Sequence, residues 1–244
     1  MIEYAIFSSS GEREVNEDTV RIFRKSELAA YAFVLADGLG GHGNGKIASQ
    51  FVTDCIGAAI ENADSFSKIF LDECFSSTQE LLLDEIEATG KVGMKSTLIV
   101  LLIENGIASW GHIGDSRLYC FRDGKKVKRT LDHSVPQMLA LAGKIKESEI
   151  RHHPSRASLL RAMGGDWDGP EYEIDERHRK IKPGDVFLLC SDGFWEWIDD
   201  RTILKTIRKD ISTQQCLNEM VAEVTKNGSG KNMDNASAIL ITVR

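Results

Sequence analysis

Three aspartates stand where runs of apolar residues stop. Tyr31-Ala32-Phe33-Val34-Leu35-Ala36 leads into Asp37-Gly38, VFLLCS at 186–191 leads into Asp192-Gly193, and ASWGHIG at 108–114 leads into Asp115. A single Asp-Gly step is an ordinary turn, since both residue types tolerate turn dihedrals. The step recurs, however, and it is joined by Glu17-Asp18 behind a polar stretch and Asp234-Asn235 ahead of the last apolar run. The pattern is that of carboxylates delivered to one place by several strand ends. Carboxylates gathered in this way repel one another unless cations sit among them. An all-oxygen set of carboxylate, backbone carbonyl and water selects hard ions, Mg²⁺ or Mn²⁺. Zinc would want His or Cys at ligand spacing, and the six His and five Cys do not offer it.

The glycine-rich stretch after Asp37 imitates two nucleotide-binding signatures. Gly38-Leu39-Gly40-Gly41-His42-Gly43 fits G-x-G-x-x-G. Yet Asp37 would set a carboxylate against the pyrophosphate, and the repeated βαβ units of a dinucleotide fold are missing. GGHGNGK at 40–46 fits G-x-x-x-x-G-K, but Ile47 stands where a P-loop places its Ser or Thr hydroxyl. The glycines read instead as points of close backbone approach, which would let the Gly38 carbonyl coordinate a metal.

The elements that must position these residues follow from periodicity. Short apolar runs predict strands at 4–7, 31–36, 96–103, 107–113, 117–121, 186–190 and 236–243. Asn105-Gly106 and Asp123-Gly124 predict tight hairpin turns, the second leading into a strand at 126–130. Four-residue rows of apolar side chains predict a helix over 46–62, a longer one over 65–89, and a third over 212–225 capped by Ser212 and Gln215. Strands and helices are segregated, not alternating, which argues for α+β.

Composition bounds the function. The 244 residues, 42% of them apolar, suffice for one core, and with no Pro- or Gly/Ser-rich linker a single domain over 1–244 is expected. Thirty Lys and Arg against 37 Asp and Glu leave a net charge of −7, which argues against gripping nucleic acid or an anionic membrane. The longest apolar run, STLIVLLI at 96–103, is too short to cross a bilayer. The first residues show neither a basic n-region nor an apolar h-region, so no signal peptide is expected. Cys55, Cys74, Cys120, Cys190 and Cys216 are scattered and odd in number, as reduced thiols of a cytoplasmic protein would be.

With these residues in view, the chain resembles the metal-dependent protein Ser/Thr phosphatases, the protein phosphatase 2C family, in its compact bacterial form. Arg13-Glu14-Val15-Asn16-Glu17-Asp18 is similar to the opening R-x-x-N-E-D motif, and ADGLGGHGNG at 36–45 to the second. Lys95-Ser96-Thr97-Leu98 resembles G-[ST]-T-L, with Lys for Gly. Gly114-Asp115-Ser116-Arg117 and Asp132-His133-Ser134 fit G-D-S-R and D-H-S. His153-Pro154 through Arg161-Ala162-Met163-Gly164 is similar to H-P-x-R-N-x-L-x-R-A-L-G, with Ala157 for Asn. Pro183-Gly184-Asp185 and LLCSDG at 188–193 fit P-G-D-x-x-L-L-x-S-D-G, and Asp234-Asn235-Ala236-Ser237 fits D-N-x-T with Ser for Thr. Eight motifs in the family's order run over nearly the whole chain, and the departures spare every acidic position.

The resemblance implies a central antiparallel β-sandwich flanked by helix pairs, in four layers, with two to three Mn²⁺ or Mg²⁺ ions in a cleft at one end. It implies that Asp37 bridges two metals, that Gly38 offers its carbonyl, and that Asp192 and Asp234 complete the second metal. Glu17 and Asp18 would orient metal-bound waters, Asp115 would help hold a third metal, and Arg13 would clamp the substrate phosphate. A metal-bridging hydroxide would attack phosphoserine or phosphothreonine in proteins, reversing a bacterial Ser/Thr kinase. The leaving alkoxide would take its proton from metal-bound water or a nearby acid, for which His42 is a candidate. His133, His152 and His153 read as structural, Trp195 and Trp197 as core anchors, and 144–165 falls where the family has a flap over the cleft. The GFWEWI stretch at 193–198 is also similar to phosphatases that accompany secretion-system kinases. The expected partners are phosphoproteins and a cognate kinase, and the expected state is a cytoplasmic monomer. The rival reading is a catalytically weak phosphatase-like module that binds phosphoproteins and signals.

Overall fold

The computed structural model describes residues 1–40, 43–66 and 69–244, without the side chains of Glu176, Arg177 and His178. His42, the candidate acid, lies outside the described residues. In chain order the elements are β1 (Ile2–Ser9), β2 (Asp18–Lys25), β3 (Ala30–Leu39), α1 (Asn44–Asn62), α2 (Phe70–Thr89), β4 (Lys95–Ser96), β5 (Leu98–Glu104), β6 (Ile107–Ile113), β7 (Arg117–Arg122), β8 (Lys125–Arg129), α3 (Val135–Leu141), β9 (Glu173–Lys180), β10 (Val186–Cys190), α4 (Asp192–Trp195), α5 (Asp200–Ile207), α6 (Thr213–Gly228) and β11 (Ala236–Val243). The expected α+β class is found, and among the described residues the paired strands are all antiparallel. Among the described residues no helix is long and apolar enough to cross a membrane.

The chain divides into two compact units. The first takes residues 1–16, 117–160 and 182–244. Its sheet runs β1-β11-β10-β7-β8. Phe121, Leu188, Cys190 and Leu240 of that sheet share a buried cluster with Leu217, Met220 and Val224 of α6 and Trp195 of α4. Helix α6 starts as expected: the Ser212 and Gln215 side chains each accept the other's backbone N–H at 3.2 Å. The D-H-S segment contributes a buried carboxylate to this unit. Asp132, 3% exposed, accepts two bonds from Arg117 at 2.8 and 2.6 Å and one from Arg129 at 3.0 Å. Trp195 is a core anchor, with the Arg117 guanidinium 3.5 Å from its ring centre.

The second unit takes residues 17–116 and 161–181. Its sheet runs β2-β3-β5-β6-β9, with β4 pairing β3 off that path. Ala32, Val34 and Ala36 of β3 and Leu98, Val100 and Leu102 of β5 are buried with Val52 and Ile56 of α1 and Phe75 and Leu82 of α2. The alternate residues Phe33, Leu35, Ile99 and Leu101 are buried too, which is why these strands read as unbroken apolar runs. The hairpins at Asn105-Gly106 and Asp123-Gly124 form as expected, all four residues at positive φ.

Two expected boundaries are corrected. The helix expected from 65 starts at Phe70, because Ser65 and Phe66 belong to the connection and Phe66 packs edge-on against Phe70, ring centres 4.7 Å apart. The strand expected over 96–103 breaks at Thr97, whose backbone and side chain both bond Asp37.

Candidate active site

Within the second unit, pairing of β2 with β3 sets Asp18 directly opposite Asp37. The Gly38 N–H donates to the Glu17 carbonyl at 3.2 Å, so the aspartates occupy the neighbouring non-hydrogen-bonded position, where facing side chains come closest. They are 8% and 9% exposed. Like charges at such a position oppose the pairing of the strands, and a cation between them removes the conflict.

On the other edge of β3 the Thr97 N–H donates to the Asp37 carbonyl at 2.8 Å, and the Thr97 hydroxyl accepts the Asp37 N–H at 2.9 Å. That hydroxyl also bonds the Ser116 hydroxyl at 2.8 Å, which ties the loop carrying buried Asp115 to the same strand end. Gly38 has no room for a side chain. A Cβ there would lie 2.1 Å from the Gly45 carbonyl oxygen and 2.8 Å from that of Glu17. In turn, a Cβ on Gly45 would lie 2.8 Å from the Gly38 carbonyl oxygen and 3.0 Å from the Glu17 carboxyl carbon. Glu17, Asp18, Asp37, the Gly38 carbonyl and Asp115 are thereby collected around one end of β3. The set is all oxygen, and its glycine-walled cradle fits a Mg²⁺ or Mn²⁺ ion.

The first unit holds the remaining residues. Asp192 opens α4, and a Cβ on Gly193 would lie 2.2 Å from the Asn235 carbonyl oxygen and 3.0 Å from that of Asp234. Backbone packing this close makes Asp192 and Asp234 neighbours. The Asn235 carboxamide donates to the carbonyls of Ser10 and Val15 at 2.9 and 3.0 Å, fastening the segment that carries Arg13. Arg13 donates to both Asp234 oxygens, at 3.1 and 3.0 Å.

Sequence reasoning missed Arg156. It donates to Asp192 Oδ2 and stands 3.2 Å from Glu196. Burial pushes the Glu196 carboxyl above its usual pKa, with Arg156 opposing the shift and Asp192 adding to it. Arg156 lies inside the H-P-x-R stretch quoted above, but its partner is 36 residues further along the chain, beyond the reach of local spacing.

The sequence profile of the protein phosphatase 2C family matches residues 8–238. The chain belongs to the protein phosphatase 2C family. It is 33% identical over 213 residues to the serine/threonine protein phosphatase PstP of Mycobacterium tuberculosis, covering 85% of this chain and 39% of that protein. It thus spans about two fifths of that relative's length. The crystal structure of the serine/threonine phosphatase Stp1 from Staphylococcus aureus superposes with a TM-score of 0.88 at 26% identity, over 100% of this chain and 96% of that one. The catalytic domain of PstP in complex with two manganese ions superposes with a TM-score of 0.81 at 27% identity, over 99% and 97%.

Proposed function

We propose that the chain is a Mg²⁺- or Mn²⁺-dependent phosphatase of phosphoserine and phosphothreonine in proteins, with a single catalytic domain over 1–244. The observation that carries this reading is the in-register opposition of Asp18 and Asp37, beside Glu17 and the Gly38 carbonyl. In this reading Asp37, the Gly38 carbonyl, Asp192 and Asp234 would be metal ligands, Glu17 and Asp18 would position water, and Asp115 would serve a further ion. Bound ions of this kind lower the pKa of water toward neutrality and neutralise charge on a phosphoryl group.

The rest falls to the chain's own side chains. Arg13 and Arg156 hold the carboxylates of Asp234 and Asp192 in place. Their guanidinium forks suit the phosphate oxygens of a substrate, which accept two parallel bonds as a carboxylate does. Thr97 fixes the backbone of Asp37 by two hydrogen bonds, so the carboxylate keeps its aim. The manganese complex of the PstP catalytic domain supports the choice of metal. The Ser/Thr protein phosphatases among the relatives support phosphoprotein substrates. In this reading a Ser/Thr kinase is the opposing enzyme and the chain works as a monomer in the cytoplasm.

Phosphate release from a phosphothreonine peptide, with Mn²⁺ and then with EDTA, tests the reading beside a phosphotyrosine peptide. Release that requires Mn²⁺ and favours phosphothreonine is expected. No release with any divalent ion, from protein with a cooperative melt, would overturn it in favour of a signalling module.

A further inference from the structure

We infer that the groove between α1 and α2 is a docking site for a cationic amphipathic helix of a partner protein. The groove is a cavity of about 520 Å³ between the C-terminal part of α1 and the N-terminal part of α2. That volume lies in the ~300–1,000 Å³ range of ligand clefts. Both helices line it with one pattern. Phe51, Asp54, Cys55, Ala58 and Ala59 on α1 recur on α2 as Phe70, Glu73, Cys74, Ser77 and Thr78, at the same i, i+3, i+4, i+7, i+8 spacing. Each helix thus offers an aromatic at one end, an acid on the rim and a thiol on the floor. The small residues that follow leave room for a guest backbone to lie close. Leu81 extends the apolar floor and is 49% exposed.

Charge selects the occupant. The two helices carry eight carboxylates and one cation, Lys46, a net charge of −7 that equals the net charge of the whole chain. The remaining residues balance, 29 Lys and Arg against 29 Asp and Glu. Arg21 lies 3.8 Å from Asp54, but both are well exposed, and exposed pairs bind weakly. Of these carboxylates Asp54 and Glu73 line the groove, one on each helix, and an apolar trough with an acid on either rim complements a helix with an apolar stripe flanked by Lys and Arg. A second copy of this chain would set acid against acid.

The test uses the intact protein and a labelled lysine–leucine helical peptide, followed by fluorescence anisotropy. The peptide is expected to bind, with affinity falling as salt is raised. The Asp54→Lys/Glu73→Lys double variant is expected to bind about tenfold more weakly. A glutamate–leucine peptide of the same pattern is expected to bind no better than the double variant does. Bound peptide is also expected to slow alkylation of Cys55, the one cysteine of the five that is not buried. Binding unchanged by charge reversal, equal binding of the acidic peptide, unprotected Cys55, or self-association through this face in sedimentation would each overturn the inference. Melting curves confirm that the double variant is folded. These readouts need no phosphatase activity, so they stand apart from the reaction proposed above.

Discussion

Replacing Gly38 by alanine tests whether the backbone at the end of β3 sets the geometry of the site. The added Cβ would sit 2.1 Å from the Gly45 carbonyl oxygen, and contacts under 3.0 Å essentially never occur, so strand and helix must separate by about 0.9 Å. Neither obstacle can swing aside, since both the Gly45 and Glu17 oxygens belong to the backbone. A misplacement of about 1 Å costs on the order of 10²-fold in rate, or ~2.7 kcal/mol of barrier. Overpacking costs a further ~1–3 kcal/mol of stability, several degrees of melting temperature for a chain of this size. The assay is kcat/KM for a phosphothreonine peptide with Mn²⁺, paired with thermal melts. Gly90→Ala is the control: it has φ of 66° and nothing within 4 Å of its would-be Cβ. It should lose ~1–2 kcal/mol from the left-handed conformation and keep its kcat/KM. A folded Gly38→Ala protein with unaltered kcat/KM would refute the assignment of the β3 end to the active site.

Asp192→Asn should abolish phosphate release while the melting temperature barely moves; a folded variant with full activity would remove Asp192 from the metal site. Asp132→Ala should destabilise the chain by ~3–5 kcal/mol, because it strips two arginines whose side chains are only 5% and 4% exposed of a buried partner. Denaturant titration reads that loss, and a cost below 1 kcal/mol, by the same scale, would deny the ion-pair cluster its structural role. Asp199 caps α5 by accepting the Thr202 N–H at 2.7 Å, and that bond holds its pKa below the usual 3.8. A carboxyl with a depressed pKa stabilises the fold above its unfolded value and loses that contribution as pH falls through the folded one. Asp199→Ala should therefore cost ~1 kcal/mol near neutrality, with the two melting curves converging in acid.

The candidate site residues were more legible than the scaffold that holds them. Asp37, Asp192 and Asp234 announce themselves because an acid after an apolar run is conspicuous wherever it lands. The strands β2 and β9 escaped the same reading. Their sequences, DTVRIFRK and EIDERHRK, are thick with charge, and they form the two outer edges of one sheet. Charged edge strands deter pairing with other chains, and the same charges erase the apolar signal by which a strand is recognised. Arg13 was legible as a site residue, yet its bond to Asp234 joins positions 221 residues apart. Thr97 was visible in a motif, but its capture of the Asp37 backbone depends on strand register, which spacing does not reveal.

The pairing of β1 with β11 also bears on how the chain comes to be folded. Ile2 faces Val243 across that ladder, so the first strand made must wait for the last. At ordinary rates of synthesis the interval is roughly 10–50 s, long against the formation of a hairpin. Residues 17–116 supply β2 to β6 with α1 and α2 from one continuous stretch, which can assemble on the ribosome while β1 stands idle. Strand β11 then enters between β1 and β10 and completes their sheet. A chain cut short ahead of Ala236 would leave both neighbours with open edges, and open edges are where aggregation begins.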